Sequence, residues 1–321
     1  MTTVPKNADV QHGPALAALR PASSDTTSSA QSRAIDALST VLQRENGRPN
    51  VPVNGHARQE TVSVVIPTLN EEKNIAWVLE RMPPLVNEVV LADGHSSDRT
   101  IEVARSVRPD IIVVTQRFRG KGDAVRVALD AATSDVIVMI DADGSMDPSE
   151  IHRYVTPLMN GYDFVKGSRF LSGGGSTDLT ALRKVGNQAL VRITNAMFLV
   201  RFTDLCYGFC SFRRDRVPVL ALTAHGFEIE TELVVHALKA NLRIAEVPSM
   251  ELQRRRGASN LRTFRDGHRV LRTLIRERLV RHTRPVVDPI DQRVLHDWRP
   301  VTADIHPAGS VGQPPEEGTL S

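Results

Sequence analysis

Short apolar runs alternate with segments of helical periodicity through the middle of the chain. Four runs predict buried strands, at residues 62–66, 89–92, 111–114 and 136–140. Apolar residues at helical spacing predict helices between them, at residues 71–82, 98–107 and 119–132. Because strand and helix alternate in this order, the pattern predicts an α/β fold with a mainly parallel sheet flanked by helices.

The pattern is less regular after residue 150. It predicts strands at residues 163–167, 209–213 and 242–247. It also predicts helices at residues 151–159, 179–200, 228–240 and 262–280. Asp147 before Pro148 is typical of a helix N-terminus, and Ser96 with Ser97 is expected to cap the helix at residues 98–107.

Both ends of the chain differ from this pattern. Residues 1 to 60 are rich in Ser, Thr, Ala, Pro and Asn, and residues 285 to 321 contain six prolines. Large apolar residues are too few there to offset the entropy lost on ordering. The sequence therefore predicts one folded domain at residues 61–284 between two disordered tails.

Composition narrows the class of protein. The chain has 321 residues, of which 41% are apolar and 24% charged, as in soluble globular proteins. It lacks an apolar run of about 18 residues and a signal-peptide pattern, so we expect a cytoplasmic protein. Aromatic residues make up 4%, which argues against base stacking, so no nucleic-acid partner is expected. Cys206 and Cys210 are expected to be a reduced pair.

Polar residues follow the predicted strands of the first half. Pro67, Thr68, Asn70 and Glu71 follow the first strand, and Asp93 follows the second. The carboxyl ends of parallel strands meet at one edge of a sheet, where open α/β proteins bind ligands. Helix capping and tight turns would also explain several of these residues. Taken together, the loops nevertheless favour a ligand-binding edge.

Asp141 and Asp143 follow the strand at residues 136–140. Residues i and i+2 of an extended segment point the same way, so both carboxylates can reach one cation. Mg²⁺ or Mn²⁺ there would carry a diphosphate, because such ions use one or two carboxylates together with phosphate oxygens. Lys121, between two glycines, supplies a positive charge for a phosphate. A polar loop with a helix cap is the alternative explanation of the two aspartates.

Several motifs resemble those of the family 2 glycosyltransferases, which have a GT-A-type nucleotide-diphospho-sugar-binding fold. They are VSVVIPTLNEE at residues 62–72, ADGHSSDRT at 92–100, GKGDAV at 120–125 and DADG at 141–144. Further motifs resemble the branch of dolichyl-phosphate and polyprenyl-phosphate sugar synthases. They are KGSRF at residues 166–170, DLCYGFCSFRR at 204–214, GFEIETEL at 226–233 and RRRGASNL at 254–261. Together these motifs identify residues 61–284 as a glycosyltransferase catalytic domain.

The resemblance implies roles for the matching residues. Pro67, Thr68 and Glu71 would cradle the nucleoside of the donor, and Asp93 would hold its base. Asp141 would lie near the ribose and the metal, with Asp143 as the metal ligand. Arg254 and Ser259 would contact phosphates, and Arg169 would lie near an acceptor phosphate. The predicted donor site consists of Pro67, Thr68, Asn70, Glu71, Asp93, Lys121, Asp141 and Ser259. Ala92, His95 and Asn260 depart from the family pattern, which leaves the nucleotide open.

The chemistry of sugar transfer suggests further candidates. A divalent ion and arginines would stabilise the negative charge that develops on the leaving diphosphate. A hydroxyl acceptor also needs a base, whereas an ionised phosphate does not. Candidate bases are Asp204, Glu228, Glu230 and Glu232, although acids at a helix N-terminus also favour the helix dipole. The predicted catalytic residues are Asp141, Asp143, Glu230, Asp204 and Arg254.

The resemblance thus implies a metal-dependent glycosyltransferase with a nucleotide-diphosphate sugar as donor. The acceptor is open between a polyprenyl phosphate and a soluble small molecule, phosphorylated or not. A non-catalytic sugar-nucleotide-binding protein is the alternative of another class, and retention of Asp141, Asp143, Lys121 and Arg254 counts against it. A nucleotidyltransferase is disfavoured, because PTLNEE stands where that class has a glycine-rich signature.

Arg265, Arg269, Arg272 and Arg276 recur at helical spacing near the C-terminal end of the predicted domain. Phe264, Leu271, Leu274 and Ile275 are expected on or near the other face of the same helix. The arginines form either a solvated face or a peripheral contact with the anionic inner face of a membrane.

Overall fold

The structure, a computed structural model, describes residues 60–257 and 263–280. Apart from Glu60, the predicted tails at residues 1–60 and 285–321 lie outside the described residues, so their disorder stays a prediction. Ser259 and Asn260 also lie outside the described residues.

A seven-stranded sheet forms the centre of the described chain, with strand order β3-β2-β1-β4-β7-β5-β8. Its strands are β1 (Val62–Thr68), β2 (Glu88–Asp93), β3 (Ile112–Thr115), β4 (Val136–Met139), β5 (Phe164–Ser168), β7 (Cys210–Arg213) and β8 (Ile244–Pro248). β1 pairs in parallel with β2 and β4, with Val64 opposite both Val89 and Val138. β7 runs antiparallel to β4 and β5, while the other pairs are parallel. This confirms the predicted mainly parallel sheet.

A second, two-stranded sheet lies beside the first. β6 (Gly175–Ser176) pairs in parallel with β9 (Met250–Glu251). It joins segments that are far apart in the sequence, and Glu251 of β9 enters the site described below.

Helices cover both faces of the large sheet. They are α1 (Ile75–Glu80), α2 (Thr100–Val107), α3 (Lys121–Ala131), α4 (Ile151–Met159), α5 (Ala181–Phe198), α6 (Val217–Leu220), α7 (Ile229–Lys239) and α8 (Thr263–Leu279). Most begin one to four residues later than their apolar pattern predicts. Before α1, for example, residues 71–74 form a turn closed by the bond from Asn74 N to Glu71 O at 2.9 Å.

Two predicted caps have different outcomes. Asp147 accepts a hydrogen bond from Ser149 N at 2.9 Å, which confirms it as the cap of the 3₁₀ turn that leads into α4. The prediction that Ser96 and Ser97 cap α2 is wrong. Asp98 accepts from Thr100 N at 3.0 Å instead. Ser96 is used elsewhere, because its hydroxyl accepts from Asn70 N at 2.9 Å.

Two apolar clusters fill the space between the sheet and its helices. Alternate residues of a strand point to opposite faces, so Val65 belongs to one cluster while Val64 and Ile66 belong to the other. The Val65 cluster includes apolar residues of α3, α7 and α8, and the Val64 cluster includes those of α1 and α4. Both clusters hold β1 and β4 rigidly, which places the loops that follow them.

The last helix, α8, packs on α5 and α7. Of the apolar residues expected on or near the face opposite the arginines, Leu274 is buried, whereas Phe264 and Ile275 are 80% and 48% exposed. Polar contacts hold much of the inner side of α8. Glu277 accepts from Lys239 at 2.7 Å and Arg276 donates to Glu232 at 3.1 Å. Among the described residues, no helix has the length and apolar character needed to cross a bilayer.

Candidate active site

A cavity of about 380 Å³ lies at the carboxyl end of β1 and β4. Its walls include residues from both halves of the chain, among them Pro67, Thr68, Glu71, Lys121, Asp141, Asp143, Arg169, Glu230, Glu251 and Arg254. The predicted ligand-binding edge therefore coincides with a cavity. A neighbouring cavity of about 270 Å³ shares Glu71 and Arg254 with it and includes Asn70.

Lys121 occupies the centre of the charged wall. It lies in the first turn of α3, and its ammonium donates to Asp141 Oδ1 at 2.5 Å and to Glu230 Oε1 at 2.7 Å. Burial opposes the charge on Lys121, but the two carboxylates raise its pKa above the ordinary value. The ammonium therefore remains charged at neutral pH and links the β4 loop to α7.

Asp141 is harder to ionise than an ordinary aspartate. Burial, helped by repulsion from Asp143 and Glu230, raises the pKa of Asp141 to about 6 despite the neighbouring ammonium. A cation near these carboxylates would relieve that repulsion. The carboxylates of Asp141 and Asp143 share one cavity, and oxygen donors of this kind are those that Mg²⁺ and Mn²⁺ prefer. The residues present thus fit a divalent ion.

Arg254 bridges the first and fourth loops. Its guanidinium lies 2.9 Å from Glu71 Oε1 and 3.1 Å from Asp143 Oδ2. The backbone N–H of Ser145 also donates to Asp143, at 2.9 Å. Arg254 comes from a segment more than a hundred residues away, so only the folded chain brings it to the aspartate.

Arg169, in the cavity wall, forms a buried ion pair with Asp204 behind it. Its Nε donates to Asp204 Oδ2 at 2.7 Å and its Nη2 to Asp204 Oδ1 at 3.0 Å. Its Nη1 donates to both oxygens of Glu251 at 3.1 Å. Burial opposes ionisation of Asp204, but Arg169 holds the pKa of that carboxyl below its ordinary value. Two carboxylates therefore set the orientation of Arg169.

The structure separates the four candidate bases. Glu230 lines the cavity, whereas Asp204 is fully buried behind Arg169 and does not line it. Glu232 is also fully buried, and it accepts from Thr223 N and Ala224 N at 2.8 and 2.7 Å. Glu228 accepts from Gly226 N at 3.1 Å. Of the four, Glu230 alone is positioned to reach a ligand in this cavity, and Asp204 is a positioning residue for Arg169.

In the second loop, which follows β2, side chains hydrogen-bond to the backbone. Asp93 is buried and accepts from Ser96 N at 3.1 Å, while His95 adopts a positive φ of 65°. Asn70 accepts from Ser97 N at 2.8 Å, which joins the first and second loops. Asp93 does not line the larger cavity, so the role of Asp93 toward a base stays a prediction.

The glycines on either side of Lys121 pack closely against the backbone of the loop before α7. A Cβ at Gly120 would lie 2.1 Å from His225 O, and one at Gly122 would lie 2.2 Å from Ala224 O. Gly122 N donates to His225 O at 2.9 Å. Close packing against the loop before α7 therefore requires glycine at both positions.

Sequence reasoning missed several residues of the site. Glu251 is one, because its role depends on the short β6–β9 pairing. Gly208 is another, since a Cβ there would lie 2.8 Å from Glu230 Oε1 and 3.2 Å from Lys121 Nζ. Glu246, buried behind Asp204, accepts from Thr203 N at 3.0 Å, and burial raises the pKa of Glu246 to about 7. The role of each depends on a partner that is distant in the sequence.

The fold and this site define a glycosyltransferase of the GT-A type. The family model described as "Glycosyl transferase family 2" matches residues 63–217, and the chain belongs to this family. It is 34% identical over 212 residues to glycosyltransferase AglJ of Haloferax volcanii, covering 65% of this chain and 69% of the relative.

Two further proteins are similar to this chain. Dolichol-phosphate mannosyltransferase of Pyrococcus furiosus is 30% identical over 210 residues, which are 63% of this chain and 59% of the relative. The solved glucosyl-3-phosphoglycerate synthase of Mycobacterium tuberculosis, in complex with phosphoglyceric acid, has a TM-score of 0.52 at 25% identity, covering 74% of this chain and 87% of that chain. The relatives confirm the resemblance to the polyprenyl-phosphate sugar synthase branch.

Proposed function

We propose that this glycosyltransferase moves a sugar from a nucleotide-diphosphate donor to the phosphate of a polyprenyl phosphate. One observation supports the proposal: six charged side chains line the same cavity. They are Lys121, Asp141, Asp143, Arg169, Glu230 and Arg254. Carboxylates for a cation and fixed cations for phosphates are the groups that stabilise a leaving diphosphate.

The donor occupies the edge of the sheet at β1 and β4. Pro67, Thr68 and Glu71 would contact the nucleoside from the first loop. Asp141 and Asp143 would hold Mg²⁺ or Mn²⁺, which when bound offsets the negative charge of the diphosphate. Asp93 and Asn70 would contribute to donor binding by holding the first and second loops in place. Ser259 would contact a phosphate, as the resemblance implies.

Lys121 and Arg254 supply the charge that the protein itself contributes. Each bridges two carboxylates, Lys121 at 2.5 and 2.7 Å and Arg254 at 2.9 and 3.1 Å. Such fixed cations need little reorganisation when negative charge develops beside them. A diphosphate would thus meet cations that are already oriented.

The acceptor lies on the Arg169 side of the cavity. A phosphate acceptor is ionised at neutral pH and needs no base, so Glu230 would orient Lys121 rather than remove a proton. With a hydroxyl acceptor, Glu230 would be the base. The name of the Pyrococcus relative supports a lipid phosphate, and the phosphoglyceric acid bound by the Mycobacterium neighbour supports a soluble phosphorylated acceptor as the second candidate.

A lipid acceptor requires contact with a membrane. Arg265, Arg269 and Arg272 are exposed on α8, next to exposed Phe264 and Ile275. Basic and apolar side chains together favour binding at an anionic bilayer surface. We therefore propose peripheral contact with the cytoplasmic face of the membrane. Arg276 would contribute less than predicted, because Glu232 and Glu277 hold it.

A donor and acceptor panel tests the proposal. The full-length protein is incubated with Mn²⁺ and radiolabelled GDP-mannose, UDP-glucose or other nucleotide sugars, with polyprenyl phosphate or phosphoglyceric acid as acceptor. We expect label in the lipid fraction with one donor and no label with Asp143→Ala. Label only in phosphoglyceric acid would replace the lipid acceptor by the soluble one. Donor binding without transfer to any acceptor would favour a non-catalytic protein.

A further inference from the structure

The segment that supplies Arg254 runs along the loop that carries Asp143. We call residues 252–256 the Arg254 segment. Leu252 N donates to Ser145 O at 2.8 Å, and Arg255 N donates to Asp143 O at 3.3 Å. Both bonds attach the Arg254 segment to the loop after β4. A further attachment, on the side of α1, comes from the side chain of Arg255.

Arg255 lies between the indole of Trp77 and the backbone of Gly144. Its guanidinium carbon is 4.8 Å from the centroid of the Trp77 ring. A Cβ at Gly144 would lie 2.8 Å from Cδ of Arg255 and 3.3 Å from Cε3 of Trp77. Trp77 belongs to α1, so the stack joins this helix to the Arg254 segment and to the turn that follows Asp143.

The other face of the Trp77 ring is also covered by a guanidinium. The guanidinium carbon of Arg81 is 4.6 Å from the ring centroid. A guanidinium over an indole face is attracted by the ring quadrupole, which an aliphatic side chain lacks. Trp77 is half-buried and also packs against the apolar cluster that contains Val64, so a purely structural role is the alternative.

Asn74, one helical turn before Trp77, holds the next residue of the Arg254 segment. Its Nδ2 donates to Arg256 O at 3.0 Å and to Glu71 Oε2 at 2.5 Å. Glu71 is the carboxylate that pairs with Arg254 at 2.9 Å. Side chains at the start of α1 therefore hold both residues that follow Arg254 in the chain.

We infer that Trp77 is a positioning residue for the phosphate site, because it holds Arg255 and thereby keeps Arg254 at Asp143. The inference rests on the proposed function, since it concerns the site of the donor diphosphate. Ordering a loose segment on binding costs free energy, so a segment that is already held binds its ligand more tightly. Loss of the stack should therefore weaken diphosphate binding, although Trp77 itself does not line the cavity.

Calorimetric binding of UDP and GDP to the full-length protein with Mn²⁺ tests the inference. Trp77→Leu and Arg255→Ala should each weaken binding of the tighter nucleotide about threefold to tenfold, as expected for loss of one cation–π contact. Trp77→Phe keeps an aromatic face and should bind more tightly than Trp77→Leu. Arg81→Ala is the matched control, because it removes the guanidinium on the opposite face of the ring, and it should change binding less than about twofold.

A double-mutant cycle distinguishes the positioning of Arg254 from general support of the fold. If Trp77 acts through Arg254, Trp77→Leu should weaken binding little further in an Arg254→Ala protein. Residues that act independently would give additive effects. Melting curves show at which temperature all variants are folded, and Arg255→Ala changes an exposed side chain, so it should fold in any case.

The stack also has a spectroscopic signature. The chain has two tryptophans, Trp77 and Trp298, so Trp298→Phe leaves Trp77 as the single indole fluorophore. In that background, Arg255→Ala uncovers one face of the ring and should increase the quenching of its emission by acrylamide.

Four results would overturn the inference. They are wild-type nucleotide affinity in Trp77→Leu, an equal loss of affinity in Arg81→Ala and Arg255→Ala, additive effects in the double-mutant cycle, and unchanged acrylamide quenching in Arg255→Ala. A wild-type protein that binds neither UDP nor GDP would instead refute the proposed nucleotide-diphosphate donor.

Discussion

The ion pair between Asp204 and Arg169 makes the sharpest prediction from the described structure. Asp204 is fully buried, and its two oxygens accept from Arg169 at 2.7 and 3.0 Å. Asp204→Asn keeps the shape but removes the charge. Removing one partner of a buried pair costs about 3–5 kcal/mol. Glu251 still neutralises part of the charge on Arg169, so we expect the lower end, about 3 kcal/mol.

Thermal and denaturant unfolding measure this loss. For a domain of this size, 1 kcal/mol lowers the melting temperature by about 2–4 °C, so Asp204→Asn should lower it by about 6–12 °C. Asp215→Asn is the matched control, because Asp215 forms longer, exposed contacts with Arg213 and Arg216 at 3.8 and 3.7 Å. Exposed pairs of this kind contribute about 0–1 kcal/mol, so the control should melt near the wild-type temperature.

The pH dependence gives a second measure of the same pair. Arg169 holds the pKa of Asp204 below its ordinary value despite burial. The ionised carboxylate therefore stabilises the fold above the unfolded pKa, near 4, and that contribution is lost as the pH falls through the lower folded pKa. The stability difference between wild type and Asp204→Asn should be constant near neutral pH and shrink below about pH 4.

Activity measurements distinguish the role of Asp204 in positioning Arg169 from its contribution to the stability of the fold. At a temperature where both proteins are folded, Asp204→Asn should raise the KM for the acceptor and leave donor binding unchanged. A melting temperature equal to that of wild type, or weakened donor binding with normal acceptor KM, would refute the role that we give to the pair.

Three other predictions follow from the site and the chain ends. Asp143→Ala should lower transfer at least about a hundredfold without changing the melting temperature, because the residue lies in a loop at the cavity; full activity of this variant, or of wild type in excess chelator, would contradict the metal role. A chain shortened to residues 58–286 should melt cooperatively near the full-length temperature, and a large decrease would mean that a tail packs on the domain. In liposome flotation, binding to anionic vesicles at low salt should fall when Arg265, Arg269 and Arg272 are all replaced by Gln, and it should fall little in Arg276→Gln. An equal loss of binding in the two variants would argue against the proposed membrane-binding surface.

Local patterns predicted the first half of the fold well. β1 to β4 and α1 to α3 each depend on a periodicity that neighbouring residues carry, and β-α-β units follow a handedness rule that leaves few topologies. The position of Asp141 and Asp143 at a sheet edge followed from their place directly after a strand, because the carboxyl ends of parallel strands meet at one edge.

Helix boundaries and caps were predicted less well. The predicted first helix included residues 71–74, which are all polar, but hydrogen bonds within their turn and to Asp98 of the second loop give them a non-helical path. Ser96 has the chemistry of a cap, yet its hydroxyl bonds to Asn70 in another loop. In both places a partner distant in sequence competed with the local preference.

The amino-acid sequence by itself determined the α/β class, the order of strands and helices, the aspartates at the sheet edge and the glycosyltransferase family. These properties depend on residues that are close together along the chain. Only the tertiary structure decided the antiparallel β7, the burial of Asp204 behind Arg169, and the entry of Glu230, Glu251 and Arg254 into the site. Each of these depends on contacts between segments separated by tens to hundreds of residues, where packing and charge pairing choose among partners that local periodicity cannot distinguish.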